Sequence, residues 1–128
     1  IISQTTQNSS DFASFVGEFV NFALEQTREL RIVNTICEAT RKRQDAALAL
    51  ARKVDLMIVI GGYDSANTRH LARACSACGV ETHHIEMAAE LEKSWVQSRR
   101  HIGITAGAST PDRAIVNIMS RLREFDSE

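Results

Sequence analysis

Between positions 12 and 23 the apolar side chains Phe12, Phe15, Val16, Phe19, Val20 and Ala23 recur at the i, i+3, i+4, i+7 spacing of a helix buried along one side. Ser9 and Ser10, just before them, suit its cap. Leu30–Val33 then predicts a short strand, and residues 40–53, rich in Ala and Leu with charges to one side, predict a second helix. Val54–Ile60 is an almost unbroken apolar run ending in Gly61-Gly62, the pattern of a central parallel strand covered on both faces. A helix over Ala66–Cys78 should stop at Gly79, a residue at ease in the left-handed conformation that follows a helix end. A strand over Val80–Ile85, a short helix over Ala88–Trp95, a strand over His101–Thr105 and a final helix over Pro111–Glu124 complete the chain. That last helix should bury Ala114, Ile115, Ile118, Met119 and Leu122.

Strand and helix thus alternate with short connections, which predicts an α/β fold: one domain over residues 1–128, with a parallel sheet of about four to five strands and helices on both faces. In such sheets ligands bind beyond the carboxyl ends of the strands. The loops at that edge are Ser3-Gln4-Thr5-Thr6, Asn34-Thr35-Ile36-Cys37, Gly61 to Thr68, the turn near Glu86, and Ala106 to Pro111. They are rich in hydroxyl, amide and glycine, and they hold one thiol. Ile1-Ile2 resembles the tail of a β-strand whose start is missing, as in a fragment.

Composition narrows the partners. The 128 residues carry 15 Lys+Arg against 16 Asp+Glu, a net charge of −1, with no basic block able to follow a phosphate backbone, so nucleic acid is not expected. No apolar run approaches the roughly 20 residues of a membrane helix, and no signal peptide is visible, so a cytoplasmic protein is expected. Cys37, Cys75 and Cys78 are an odd number, which speaks against a disulfide framework and for reduced thiols or metal ligands.

Two loops could hold an anion. In Gly61–Thr68 the glycines precede Ser65, Asn67 and Thr68 at a helix start, where free N–H groups and the positive end of the helix dipole favour negative charge. Simple helix capping by Ser65 explains that loop equally well. In Gly107-Ala108-Ser109-Thr110-Pro111, capping accounts for Thr110 and Pro111 but not for Ser109. Two such helix starts on one sheet edge would converge on a pocket suited to a diphosphate. Cys37, in a loop at that edge, is a nucleophile, a metal ligand or incidental, and Arg43 could reach its loop. Cys75 and Cys78 have C-x-x-C spacing but sit late in a helix, which favours packing. His83 and His84 should face opposite sides of a strand, one packed and one exposed, and Trp95 should be a packing anchor.

The strings Asn34-Thr35-Ile36-Cys37-Glu38-Ala39-Thr40 with Arg43-Gln44, Ser65-Ala66-Asn67-Thr68, and Thr105-Ala106-Gly107-Ala108-Ser109-Thr110-Pro111-Asp112 resemble, in this order, the 4-hydroxy-3-methylbut-2-enyl diphosphate reductase family, also called IspH or LytB. The resemblance runs from Ser3 to about Leu122. It implies the C-terminal one of three similar α/β domains, which in this family hold a 4Fe-4S cluster through one cysteine each. Cys37 matches the third cysteine. Thr5 resembles the threonine facing the substrate hydroxyl. Ser65, Asn67 and Ser109 resemble the residues that hold the diphosphate, and Thr40 lies beside the cluster. Ala66 stands where some members have a second serine, so one hydroxyl is gone while its backbone N–H remains.

The resemblance further implies a reductive dehydroxylation giving isopentenyl and dimethylallyl diphosphate, with electrons from a protein such as ferredoxin or flavodoxin. The family's other two cysteines, its diphosphate-binding histidines and its His-x-Glu region match nothing in these 128 residues. One thiolate cannot hold such a cluster, so the chain by itself is expected to bind none and to be inactive. The alternative is a free-standing phosphate-binding module without catalysis. All of this assumes that the thiol at Cys37 and the hydroxyls of Ser65 and Ser109 emerge at one rim of one sheet.

Overall fold

The computed structural model describes residues 1, 9–27 and 29–127. They fall into two compact units, Ile1–Arg43 and Gln44–Glu128. The first holds α1 (Ser9–Ala23) and the start of α2 (Glu38–Ala51). Along α1, Ala23 is buried, while Phe12, Val16, Phe19 and Val20 are half-buried. Phe15, expected on the buried side, stays 53% exposed and stacks on Phe19 with ring centroids 5.9 Å apart. The strand expected over Leu30–Val33 does not form. Val33 makes a single bridge, donating its N–H to the Ile1 carbonyl at 3.1 Å while the Ile1 ammonium donates to the Arg31 carbonyl, and no longer ladder forms there among the described residues.

The second unit is built on a parallel sheet of three strands, β1 (Leu56–Ile60), β2 (Glu81–Ile85) and β3 (Ile102–Ala106), in the order β2-β1-β3. Three, rather than four to five, is the count among the described residues. β1 pairs with β2 from Leu56↔Glu81 to Ile60↔Ile85 and with β3 from Leu56↔Ile102 to Ile60↔Ala106. All of β1 is buried, which is why its sequence does not alternate: each face meets helices. Met57 and Val59 pack on Ala47 and Ala51 of α2 and on Leu71 and Cys75 of α3 (Ala66–Ala77). Leu56, Ile58 and Ile60 pack with Ile85 and Leu91, and with Ile118 of α5 (Asp112–Ser127). Each such side chain contributes roughly 1.5–3 kcal/mol on burial, an upper figure because unfolded chains are already partly collapsed.

Gly79, at φ +85°, follows α3 as its sequence requires. Where a helix was expected over Ala88–Trp95, the chain forms a 3-10 turn (Ala88–Glu90) and a single helical turn, α4 (Lys93–Val96). Leu91, extended at φ −68° and ψ 125°, separates them by turning its side chain into the core. Trp95 packs against that core as expected. At the amino edge of the sheet, Asp55 Oδ2 accepts the N–H groups of Arg100 and His101, both at 3.0 Å, and ties the start of β1 to the start of β3.

At the carboxyl edge one carbonyl gathers the loops. Ile60 O accepts the Gly107 N–H and the Thr110 hydroxyl, both at 2.9 Å. Thr110 therefore spends its hydroxyl on β1, and α5 begins at Asp112, after Pro111. Thr68, fully buried, is wedged between the two turns: a Cβ at Gly61 would lie 2.7 Å from Thr68 Oγ1, and one at Gly107 would lie 2.1 Å from it. Gly61 also has φ +151°, a conformation few other residues adopt.

Two outcomes follow. Gly107→Ala should destabilise the fold by about 1–3 kcal/mol through overpacking. Adding Thr68→Ala should return much of that loss, a non-additivity readable in urea denaturation of the single and double variants. The N–H groups of His101 and Arg100 hold the Asp55 carboxyl below the usual aspartate range. Its contribution is thus present above the ordinary aspartate pKa and lost as pH falls through the lowered folded value. Asp55→Ala should lower the melting temperature at neutral pH, and the gap to the wild type should close as melts are run down through the carboxylate range.

Candidate functional site

β1 and β3 are neighbours, yet the helices that follow them leave to opposite faces: α3 covers Met57 and Val59, while α5 covers Leu56, Ile58 and Ile60. A crevice opens where adjacent strands send their chains apart in this way, and such switch points are where open α/β sheets bind ligands. Both hydroxyl-bearing turns singled out in the sequence follow these two strands and so lie at this switch point. They are joined there by the Ile60 carbonyl and by Thr68.

Ser65 is the N-cap of α3, its Oγ accepting the Thr68 N–H at 3.3 Å. This leaves the hydroxyl proton to donate outward, so capping and anion binding are compatible rather than rival uses. Ala66, exposed in the first turn, contributes only backbone. Asn67 is buried to 7% exposure, and its Nδ2 has no partner among the described residues. The Thr68 hydroxyl and Gln44 Nε2 share that condition. Buried donors without partners are uncommon and call for an explanation. Ser109 is exposed at the tip of the neighbouring turn. The turns before α3 and α5 therefore bring hydroxyls, an amide and backbone N–H groups to one end of the sheet.

Cys37 belongs to the other unit. It stands just before α2, its loop shaped by Asn34, whose Oδ1 accepts the Ile36 N–H at 3.1 Å. Cys37 Sγ lies 2.9 Å from Thr40 Oγ1 and accepts the Thr40 N–H at 3.4 Å. Sulfur here takes the place of a capping oxygen. The Thr40 hydroxyl, the Thr40 N–H and, more weakly, the Ala39 N–H and the charge of Arg43 hold the thiol below its ordinary pKa against a small opposing effect of burial. Cys37 is exposed while Thr40 is only 2% exposed, so an accessible thiol is held by a fixed neighbour. Thr5 lies outside the described residues.

The other candidates have structural roles. Cys75 is fully buried, and burial, with Cys78 adding to it, pushes its thiol up to about 11, far from a ligand or nucleophile. Cys78 is half-buried and its thiol donates to the Ala74 carbonyl at 3.5 Å. His83 and His84 do face opposite sides, but both are half-buried. His83 stacks on Trp95 at 3.8 Å, and His84 reaches the Gly61 carbonyl at 2.8 Å. Neither is the free exposed imidazole expected of one of them, because Trp95 and the Gly61 turn each supply a partner. Sequence reasoning gave Thr68 no role of its own. A threonine one turn into the helix, facing two glycines from separate loops, was the available signal.

Among the described residues no helix is long and apolar enough to cross a membrane, and no three His, Cys, Asp or Glu side chains gather as a metal-holding group.

The family model for LytB protein matches residues 1–123. The chain is 48% identical to the 4-hydroxy-3-methylbut-2-enyl diphosphate reductase of Geobacter sulfurreducens over 128 residues, 100% of this chain and 44% of that protein. It is 44% identical to the enzyme of that name from Aquifex aeolicus over 125 residues, 98% of this chain and 42% of the relative. A solved structure of (E)-4-hydroxy-3-methyl-but-2-enyl diphosphate reductase, described as the terminal enzyme of the non-mevalonate pathway, superposes with a TM-score of 0.70 at 43% identity. The superposition covers 97% of this chain and 43% of that one. The E-1-hydroxy-2-methyl-but-2-enyl-4-diphosphate reductase from Plasmodium falciparum superposes with a TM-score of 0.78 at 26% identity, over 93% of this chain and 37% of its own. The chain thus spans less than half the length of these relatives. With the sequence match extending over nearly all its residues and the α/β architecture shared with solved relatives, the chain belongs to the LytB protein family.

Proposed function

We propose that this chain is the C-terminal portion of a 4-hydroxy-3-methylbut-2-enyl diphosphate reductase, supplying the diphosphate-binding turns and one thiolate ligand of a 4Fe-4S cluster. The supporting observation is the meeting of the Gly61–Ser65 and Gly107–Thr110 turns at the end of β1, where two helix starts offer hydroxyl and N–H donors. Fixed donors suit a diphosphate because they need no reorganisation when the charge arrives. In this reading Ser65 and Ser109 donate their hydroxyls, the Asn67 amide finds in the ligand the acceptor it lacks, and the Ala66 N–H serves where its side chain cannot.

Cys37 fits a cluster ligand: it is exposed, and its thiolate is favoured by Thr40 and Arg43. Cys75 and Cys78 do not fit, for the reasons of burial given above. One thiolate is too few, so the other ligands come from parts of the relatives' length that this chain does not span, and the 128 residues alone neither hold the cluster nor turn over substrate. When bound, the cluster would relay two electrons, one at a time, from the donor protein and offer an open iron to the hydroxyl, which leaves as water on protonation. Thr40 keeps the Cys37 thiolate in place, Thr5 faces the substrate hydroxyl, and the serine turns fix the diphosphate so that the hydroxyl end is presented. A cytoplasmic setting and a ferredoxin or flavodoxin donor complete the proposal.

The reading is tested on the full-length protein after anaerobic reconstitution with iron and sulfide. It should convert 4-hydroxy-3-methylbut-2-enyl diphosphate to isopentenyl and dimethylallyl diphosphate, and Cys37→Ser should abolish turnover. A cluster-loaded wild-type protein that binds inorganic pyrophosphate but never reduces the substrate would favour the non-catalytic binding module instead. Ser65→Ala and Ser109→Ala should each weaken pyrophosphate binding by about tenfold, the scale of one hydrogen bond to a charged group, measured by calorimetric titration.

The thiol itself offers a cluster-independent check. The pH at which alkylation of Cys37 reaches half its limiting rate, followed by peptide mass spectrometry, should lie below that of an ordinary thiol. In Thr40→Val it should move up, because the largest contribution to the shift is removed.

A further inference from the structure

The Gly61–Ser65 turn is gripped from the side of β2 by groups that the chemistry proposed above does not use. His84, near the end of β2, brings Nε2 to 2.8 Å from the Gly61 carbonyl; a carbonyl only accepts, so that nitrogen carries the proton. Glu86 Oε1 accepts the Tyr63 N–H at 2.6 Å. The Tyr63 hydroxyl donates to Glu90 Oε2, and its ring rests against His84 with centroids 4.9 Å apart. Arg69 donates to the Tyr63 carbonyl at 2.7 Å. Glu90 is held in turn, because its Oε1 accepts the N–H groups of Glu86 at 3.1 Å and Met87 at 2.9 Å. Burial alone would push the Glu90 carboxyl up, but the Tyr63 hydroxyl and those two N–H groups outweigh it and the net shift is downward. The same carboxylate pushes the Tyr63 phenol up to about 12, which keeps the donor protonated.

The backbone of this turn is correspondingly saturated. The Gly61 N–H donates to Ile85 O at 3.0 Å, the Gly62 carbonyl accepts the Ser65 N–H at 3.0 Å, and His84, Glu86 and Arg69 take the Gly61 carbonyl, the Tyr63 N–H and the Tyr63 carbonyl. Among the described residues only the Gly62 N–H of these three residues has no partner. Two adjacent glycines would otherwise sample many conformations, so this grip selects one.

We infer that His84, Glu86 and the Tyr63–Glu90 pair are positioning residues of the diphosphate turn. They act through the backbone of Gly61–Tyr63 to hold the Gly62 N–H and the Ser65 hydroxyl toward the ligand. The inference rests on the diphosphate reading of the turn and adds the side chains that set its shape. Loosening the grip costs affinity because the turn must be ordered again at each binding event.

The test is calorimetric titration of the full-length protein with inorganic pyrophosphate, alongside melting temperatures. Glu86→Ala and Tyr63→Phe should each weaken binding by about tenfold. Glu86→Gln, which keeps an oxygen to accept the Tyr63 N–H, should stay within about threefold of the wild type. Unchanged affinity in Glu86→Ala and Tyr63→Phe, with or without a lower melting temperature, would overturn the inference while leaving the diphosphate reading intact. Equal losses in Glu86→Gln and Glu86→Ala would overturn it as well. A wild-type protein with no affinity for pyrophosphate would remove the reading on which it rests.

Discussion

The carbonyl of Ile60 is the point on which the second unit turns. It is the last of the central strand, and it accepts both the Gly107 N–H and the Thr110 hydroxyl. The turn after β3 is therefore pinned to the end of β1, while the turn after β1 starts one residue further on. Thr68 fills the space between them so closely that neither Gly61 nor Gly107 has room for a side chain. Interiors packed to this density transmit small changes rather than absorb them. The spacing of the two hydroxyl turns is thus set by the core of the sheet, not by the loops themselves, which is how loops can offer an anion a fixed set of donors.

The two chemical centres follow different physical rules. At the end of β1 the groups on offer are dipoles: helix starts, hydroxyls and a buried amide with no partner among the described residues. At Cys37, Thr40 favours the ionised form of the thiol through both its hydroxyl and its N–H. Both use the first turn of a helix, where backbone N–H groups lack intrahelical partners.

Much of this was legible in the letters. The apolar run ending in Gly61-Gly62 announced a strand buried on both faces, and the alternation of elements gave the α/β class and the edge at which to look. The motif strings gave the family. What the letters could not carry was context. Leu30–Val33 has strand-forming side chains, but a strand exists only with a partner, and Val33 finds a single bridge. The helix over Ala88–Trp95 is broken because Leu91 is worth more in the core than in a continuous helix, a choice local propensity does not see. His83 and His84 were read as facing opposite sides of a strand, yet their partners, Trp95 and the Gly61 carbonyl, are set by tertiary packing alone. The same holds for Thr68 and for the grip of Glu86 and Glu90 on the turn.

The most direct measurement is a crystal structure of the full-length protein with inorganic pyrophosphate. The account expects the anion in the crevice at the end of β1, within hydrogen-bond range of Ser65 and Ser109 and against the first turn of α3. Pyrophosphate bound away from that crevice, or these two side chains facing different surfaces, would contradict it.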